Sequence, residues 1–499
     1  MLVKKLPLIL PFLTSMAWAD LSSQAQDVSN YAVANYHQAQ IHTLGNLVSF
    51  PTVKNPQFTV PSDPNFIAFK QYLALKAKQL GFKFEDHGYT VLISYGEQDD
   101  KITVVTHGDV QPADASKWKS SPFELDSHSE PGKLIARGSE DDKGPIATAL
   151  YAMKAIKDNN VVLKRRLELM IYLAEESDWA PLELFMQDYQ QPDFAVTIDA
   201  SYPVVVAEKG WCSVKNQFPD QHFDKTKLYA EHFRGGAFAS QIPEDAYVTL
   251  HNVTANQLAA LKNKAQQINA VAFEFTHHDN TISIHAKGRS AHSSEPESGI
   301  NAIAYLAHLL GDLSLEMNAS GQAINYVNEL IGLDLYGSQF GEIAYSHDFM
   351  GPMTVAPTLL TTKDLEHLTL TVNLRRPVGK DKDVLEQQIA QAVDNWQVLH
   401  QLKLPATDIV LSDPMLLDDA PHAKTLLAIF SHYSGQKDAK PVSIGGGTNA
   451  KLFKRAVSFG PSMPGKAYTG HSEHEFITQE QIKLNLQMYT AMMIEVANL

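Results

Sequence analysis

Through the first two hundred residues, short runs of apolar and β-branched side chains alternate with stretches whose apolar positions recur every three or four residues. Ile102 to Thr106, Leu167 to Leu173 and Phe194 to Ile198 read as buried strands. Phe66, Phe69, Leu73 and Leu80 form a helical stripe stopped by Gly81. A second stripe, Ile146, Ala149, Leu150, Met153 and Ile156, follows a Lys143-Gly144-Pro145 start. Such alternation predicts an α/β fold whose mostly parallel sheet is flanked by helices.

After Lys209 the texture changes. Strand-like Thr281 to Ala286 and His367 to Leu374 bracket an apolar helix from Ala302 to Leu310, and no internal repeat is visible between them. Strand-like Val457 to Phe459 and a long amphipathic segment from Gln479 then look like a return to the first sheet. We therefore expect a discontinuous domain, 20–209 and 409–499, interrupted by a large inserted α+β lid domain at 210–408.

Residues 1–19 read as a secretory signal peptide: Lys4-Lys5, an apolar stretch from Leu6 to Met16, then Ala17-Trp18-Ala19 before Asp20. The apolar stretch is well short of the ~20 residues that span a bilayer. Cleavage after Ala19 is expected, with no membrane attachment afterwards. The single cysteine, Cys212, is far from that point and excludes intramolecular disulfides. Secretion without disulfides fits a periplasmic or secreted location.

At 499 residues, with 44% hydrophobic and 19% charged residues, the chain has the composition of a folded protein of two or three domains. The formal charge of −15 becomes two units more negative once Lys4 and Lys5 are removed. A strongly acidic chain without a Lys/Arg-rich run excludes nucleic acid as a partner.

The chemistry lies in five separated stretches: His107-Gly108-Asp109, Arg137 to Gly144, Glu175-Glu176, Asp199 and His471-Ser472-Glu473-His474-Glu475. Most follow a strand-like run directly, so their polar groups gather where an open α/β sheet places its site. Two histidines with carboxylates form a mixed N/O donor set, which suits a pair of zinc ions better than calcium or magnesium. Two such ions about 3.5–4 Å apart can share a water, lower its pKa towards ~7 and polarise a carbonyl.

In order, spacing and flanks, these motifs resemble the metallopeptidase family of aminoacylase, acetylornithine deacetylase, succinyl-diaminopimelate desuccinylase, carboxypeptidase G and the carnosinase-type dipeptidases. Asp141-Asp142-Lys143-Gly144-Pro145, Gly445-Gly446-Gly447-Thr448 and Glu208-Lys209-Gly210 look like its bacterial dipeptidase branch. The resemblance runs from about residue 37 to the C-terminus. It implies two zinc ions per subunit, with manganese or cobalt as alternatives. His107, Asp141, Glu176, Asp199 and His471 would be the ligands, Asp141 bridging both ions. Glu175 resembles the general base and Asp109 the carboxylate that orients His107. Aligning Glu475 with the family's glutamate selects His471 over His474 and leaves His474 where Asn or Asp is usual. The resemblance also implies a cis peptide bond between Asp141 and Asp142.

Within the insert, Gly288 to His292 followed by Gly299 to Ala302 resembles the segment whose histidine reaches across to the reacting carbonyl, which makes His292 a catalytic candidate. Asn373 to Pro377 resembles the strand whose arginine clamps a substrate carboxylate bidentately, a role that falls to Arg375. Gly446, Gly447 and Thr448 would add backbone and hydroxyl donors to that carboxylate. Ser240 stands where the dipeptidase branch usually has Asn, so specificity is expected to differ. A lid of about 200 residues resembles the doubled lid of those dipeptidases, in which the added half stands in for a partner subunit, and this favours a monomer.

These features imply a metal-dependent hydrolase acting on small peptides, a dipeptidase. The alternatives are an N-acyl-amino-acid deacylase or deacetylase with the same metal site and, remotely, a non-catalytic zinc or peptide-binding protein.

Overall fold

A computed structural model describes residues 21–362, 367–417 and 419–499. The expected signal peptide, 1–19, lies outside the described residues. Among those described, no helix is long and apolar enough to cross a membrane.

The first sheet runs, from one edge, Lys83–Asp86, Thr90–Tyr95, Arg166–Tyr172, Lys101–His107, Phe194–Thr197, Ala456–Ser458 and Val205–Glu208, with Met415–Leu416 and Val442–Ile444 both paired to the last. Its centre is parallel: Arg166–Tyr172, Lys101–His107, Phe194–Thr197 and Ala456–Ser458 are parallel neighbours. The sheet as a whole is more mixed than the strand and helix pattern indicated. Hairpin pairing makes Lys83–Asp86 and Thr90–Tyr95 antiparallel at one edge, and Met415–Leu416 is antiparallel at the other.

Helices cover both faces. Pro64–Leu80 has Asp63 as its N-cap, Pro64 at its first position and a left-handed Gly81 at its end, and it buries Phe66, Phe69, Leu73 and Leu80. Lys143–Asp158 differs from a one-faced helix, because every side chain from Lys143 to Met153 is buried. Helices Ser23–Val48 and Gln479–Ala497 both pack against it, and its Gly, Ala and Thr positions let them approach. On the opposite face Leu182, Ala450 and Phe453 cover Leu92, Val105 and Met170.

The inserted domain carries an antiparallel sheet of eight strands over its own core. The sheet consists of two four-stranded plates that meet at one residue pair, Gly235 with Leu360. In each plate the chain visits the inner strand, the second strand, a helix and then the outer strand. One plate does so through Tyr229–Gly235, Asp245–His251, Ala255–Gln267 and Ala272–His278, the other through Thr354–Thr361, His367–Arg376, Lys382–His400 and Thr407–Leu411. The third position is filled by the later Thr281–Lys287 in the first plate and by the earlier Gly210–Pro219 in the second. The lid is thus duplicated in topology, with one strand supplied out of order, although its sequence shows no repeat. Its last strand extends to Leu411, three residues past 408.

The lid is closed onto the first domain. Lys117 reaches Glu244 and, at 2.7 Å, Asp245. Gln241 of the lid donates to the His471 carbonyl at 2.9 Å.

Candidate metal centre and substrate cavity

His107 is the last residue of a fully buried strand, and its parallel neighbours carry their own acids just beyond their ends. Glu175 and Glu176 follow Arg166–Tyr172, and Asp199 follows Phe194–Thr197. Asp141 and Asp142, joined by a cis peptide bond, precede helix Lys143–Asp158. His471 comes from the loop before Phe476–Thr478, with a left-handed φ of 64°.

These side chains meet in two groups that share Asp141. His107 Nε2 lies 2.8 Å from Asp141 Oδ1 and 3.7 Å from Asp199 Oδ1. His471 Nε2 lies 3.1 Å from Asp141 Oδ2 and 2.8 Å from Glu176 Oε1. Within each group the donor atoms all fall within 4.8 Å of one another, the spacing of a first coordination sphere. The structure brings His471 into the cluster, whereas His474 points out to Glu130 at 2.9 Å.

The loops are held by other acids. Glu475 is fully buried and accepts from Arg137 and from the Gly138, Glu140 and Asp141 N–H groups, at 2.9 to 3.0 Å. Asp109 accepts the Glu175 and Glu176 N–H groups at 3.0 Å each. Its carboxylate is 3.6 Å from His107 Nδ1, while its backbone carbonyl is at 3.0 Å, so the carbonyl makes the closer contact with the imidazole. Two further contacts come from residues outside the five stretches. Tyr468 donates to Asp141 Oδ2 at 2.5 Å and Gln111 donates to Glu176 at 2.7 Å. Gln111 shares the 107, 109, 111 alternation of an extended segment, a signal that could have found it. Tyr468 offers none.

The cluster fits a pair of cations. Burial and the nearby Asp199 and Glu176 raise Glu175 well above the usual carboxylate range. Burial lifts Asp142 well above that range and Asp199 to about 6. Burial works against a charged His471, yet Glu176 and Asp141 outweigh it and push the imidazole up to about 10. So many carboxylates buried around two imidazoles hold protons tightly because their ionised form needs nearby positive charge, which is what bound cations supply.

Facing this cluster is a cavity of about 510 Å³, lined on the lid side by Phe238, Ser240, His292 and Arg375. His292 sits in a two-residue strand paired with Gln241–Ile242, its ring 4.7 Å from that of His471. Burial, His471 and Arg375 hold it well below its ordinary pKa, so it is neutral. Its Nδ1 accepts the Ser294 N–H at 3.2 Å, which leaves the proton on Nε2. Ser240 Oγ lies 3.3 Å from His471 Nδ1, so the lid touches a residue of the cluster.

Arg375 is buried and, among the described residues, its side chain bonds only to neutral oxygens, Asn373 Oδ1 at 3.0 Å and Ser293 Oγ at 2.9 Å. Gly446 and Gly447 line the same cavity. Thr448 departs from the expected role: its hydroxyl and N–H both bond the buried Glu208, at 2.6 and 2.9 Å. Thr448 lines the cavity, but with both donors committed to Glu208 it braces the glycine loop.

Fold and site together define a metal-dependent hydrolase. The chain belongs to Peptidase family M20/M25/M40, whose sequence pattern matches residues 103–495. It is 27% identical over 453 residues to the Beta-Ala-Xaa dipeptidase of Lactobacillus delbrueckii subsp. lactis, across 89% of this chain and 90% of that one. Human carnosine dipeptidase 1 superposes with a TM-score of 0.58 at 14% identity, covering 95% of this chain and 100% of that one. The di-peptidase Dug1p of Saccharomyces cerevisiae superposes with a TM-score of 0.59 at 12% identity, covering 95% and 99%. At such identities the two structures speak for the fold alone.

Proposed function

We propose that the chain is a two-zinc dipeptidase that hydrolyses small peptides with a free C-terminal carboxylate. The observation that carries this reading is the meeting of two ligand groups on Asp141, with Glu175 on the same cavity wall and Arg375 across from it. Similarity to a Beta-Ala-Xaa dipeptidase along nearly the whole chain supports it.

Metal ions held by His107, Asp141 and Asp199, and by Asp141, Glu176 and His471, would supply Lewis-acid polarisation of the scissile carbonyl and an acidified water. Arg375 and the Gly446 and Gly447 N–H groups hold the terminal carboxylate and so fix the scissile bond. His292 donates its Nε2 proton to the carbonyl oxygen as charge develops there, a contribution of about 2.7–4 kcal/mol per donor. Glu175, whose proton affinity is raised by burial and by the nearby Asp199 and Glu176, takes a proton from water and passes it to the leaving amine.

Purified protein reconstituted with zinc and offered Ala-Xaa and Xaa-His dipeptides beside acetyl-amino acids tests this. Turnover of the dipeptides is expected; turnover confined to acetyl-amino acids would make the chain a deacylase, and none at all a binding protein. We further read the enzyme as an exported monomer, on the strength of the N-terminal segment and the duplicated lid. Light scattering and N-terminal sequencing of a periplasmic fraction, with Asp20 expected first, check both points.

A further inference from the structure

Opposite the acid cluster lies a cation that the proposed reaction leaves unused. Lys451 sits in the short 3-10 turn Asn449–Leu452, directly after the glycine loop. It is half-buried and lines the cavity together with Arg375, Gly446 and Gly447. Its ammonium donates to the Lys209 carbonyl at 2.8 Å, and among the described residues it has no carboxylate within salt-bridge distance. The acid on that side, Glu208, is occupied by Thr448 and Ser458. An ammonium has three donors, so two remain.

The glycine loop lies between this ammonium and the lid. A Cβ on Gly447 would stand 2.7 Å from Lys451 Nζ, and one on Gly446 would stand 3.8 Å from Ser294 Oγ and 4.0 Å from His292 Cε1. An anion received by the loop is therefore within reach of Lys451 on one side and faces the lid on the other. Burial lowers the hold of Lys451 on its proton; Glu208 opposes this and Arg375 adds to it, the strain of two like charges facing one cavity. A carboxylate between them relieves that strain.

We propose that Lys451 is the second cation of the carboxylate subsite, so that the terminal carboxylate of the substrate is gripped by Arg375 and Lys451 together. The inference rests on the dipeptidase reading above. It makes Lys451 a determinant of specificity: a substrate whose C-terminus is amidated or extended meets two positive charges with no anion to offer them.

The test compares wild type, Lys451→Met and Lys451→Arg, each zinc-loaded, on Ala-Leu and its C-terminal amide, with melting temperatures recorded alongside. Wild type is expected to prefer Ala-Leu strongly. In Lys451→Met, KM for Ala-Leu is expected to rise roughly tenfold with a much smaller change in kcat, as befits loss of one charge-assisted hydrogen bond. Its preference over the amide should shrink by the same factor, and Lys451→Arg should recover most of it. Equal losses on both substrates, or an unchanged preference, would show that Lys451 only props the Lys209 carbonyl and would overturn the proposal. If Lys451→Met does not fold, Lys451→Gln is read by the same ratio. A wild type that prefers Ala-Leu while Lys451→Met keeps that preference refutes Lys451 alone; a wild type inactive on both substrates removes the dipeptidase reading and this one with it.

Discussion

The two ends of the cavity are built on opposite electrostatic plans. At one end Asp141, Asp142, Glu175, Glu176 and Asp199 crowd around two imidazoles, on loops tied down by Glu475 and Asp109. At the other, Arg375 and Lys451 bond, among the described residues, only to neutral oxygens. The acid end is incomplete without cations and the basic end without an anion. The first deficit suits resident metals, and the second suits a ligand that comes and goes.

If the ends work separately, damage to each should appear in a different kinetic constant. Glu175→Gln is expected to lower kcat by about 10²–10⁴ while zinc content stays at wild-type level. A zinc-loaded variant with normal turnover would sink the base assignment. Arg375→Met should act mainly through KM, with kcat/KM on dipeptides falling about ten- to a hundredfold, the value of a hydrogen bond to a charged group. A pure kcat effect would merge the two ends into one.

Tyr468→Phe removes the hydroxyl that bonds Asp141 and should weaken metal binding about tenfold, read by competition with a chelator. The acid end should also show a proton signature. Because the His471 imidazole is pushed up to about 10 and His107 is raised as well, both hold protons at pH 7 in the metal-free protein. Metal must expel them, so apparent affinity should rise with pH until His471 loses its proton unaided, near 10. Calorimetry in buffers of different ionisation enthalpy should detect protons released at pH 7; none released would contradict the assignment of the two imidazoles. The smallest effect is expected at the latch. Lys117→Ala removes a partly exposed pair with Glu244 and Asp245, worth about 0.2–1 kcal/mol, so KM should change less than about fivefold.

How legible each part was follows from how locally it is encoded. The acid end sits where strands stop, so an apolar run followed by His or Asp announces it. The Phe66 stripe with its Gly81 stop is equally local. Helix Lys143–Asp158 was legible as a helix but not as a fully enclosed one, because its outer cover comes from the two ends of the chain. The antiparallel edges of the first sheet depend on partners that periodicity does not specify. The resemblance of the Gly445-Gly446-Gly447-Thr448 run to the dipeptidase branch points to Thr448 as a ligand donor, but the acid that occupies it, Glu208, lies 240 residues earlier. Tyr468 meets Asp141 across 327 residues, and no spacing rule reaches it.

The single-pair meeting of the two lid plates has a consequence beyond the cavity. Above Gly235 the inner strand Tyr229–Gly235 diverges from its neighbour, and a bare strand edge of this kind is a template on which another chain can polymerise. Here Asn318 donates to the Ala230 carbonyl at 2.7 Å and Ser320 accepts the Phe233 N–H at 3.3 Å, so the start of helix Ala319–Tyr326 plugs the opening. Two small polar residues keep this opening in the lid from becoming adhesive, and there they form its safeguard against aggregation.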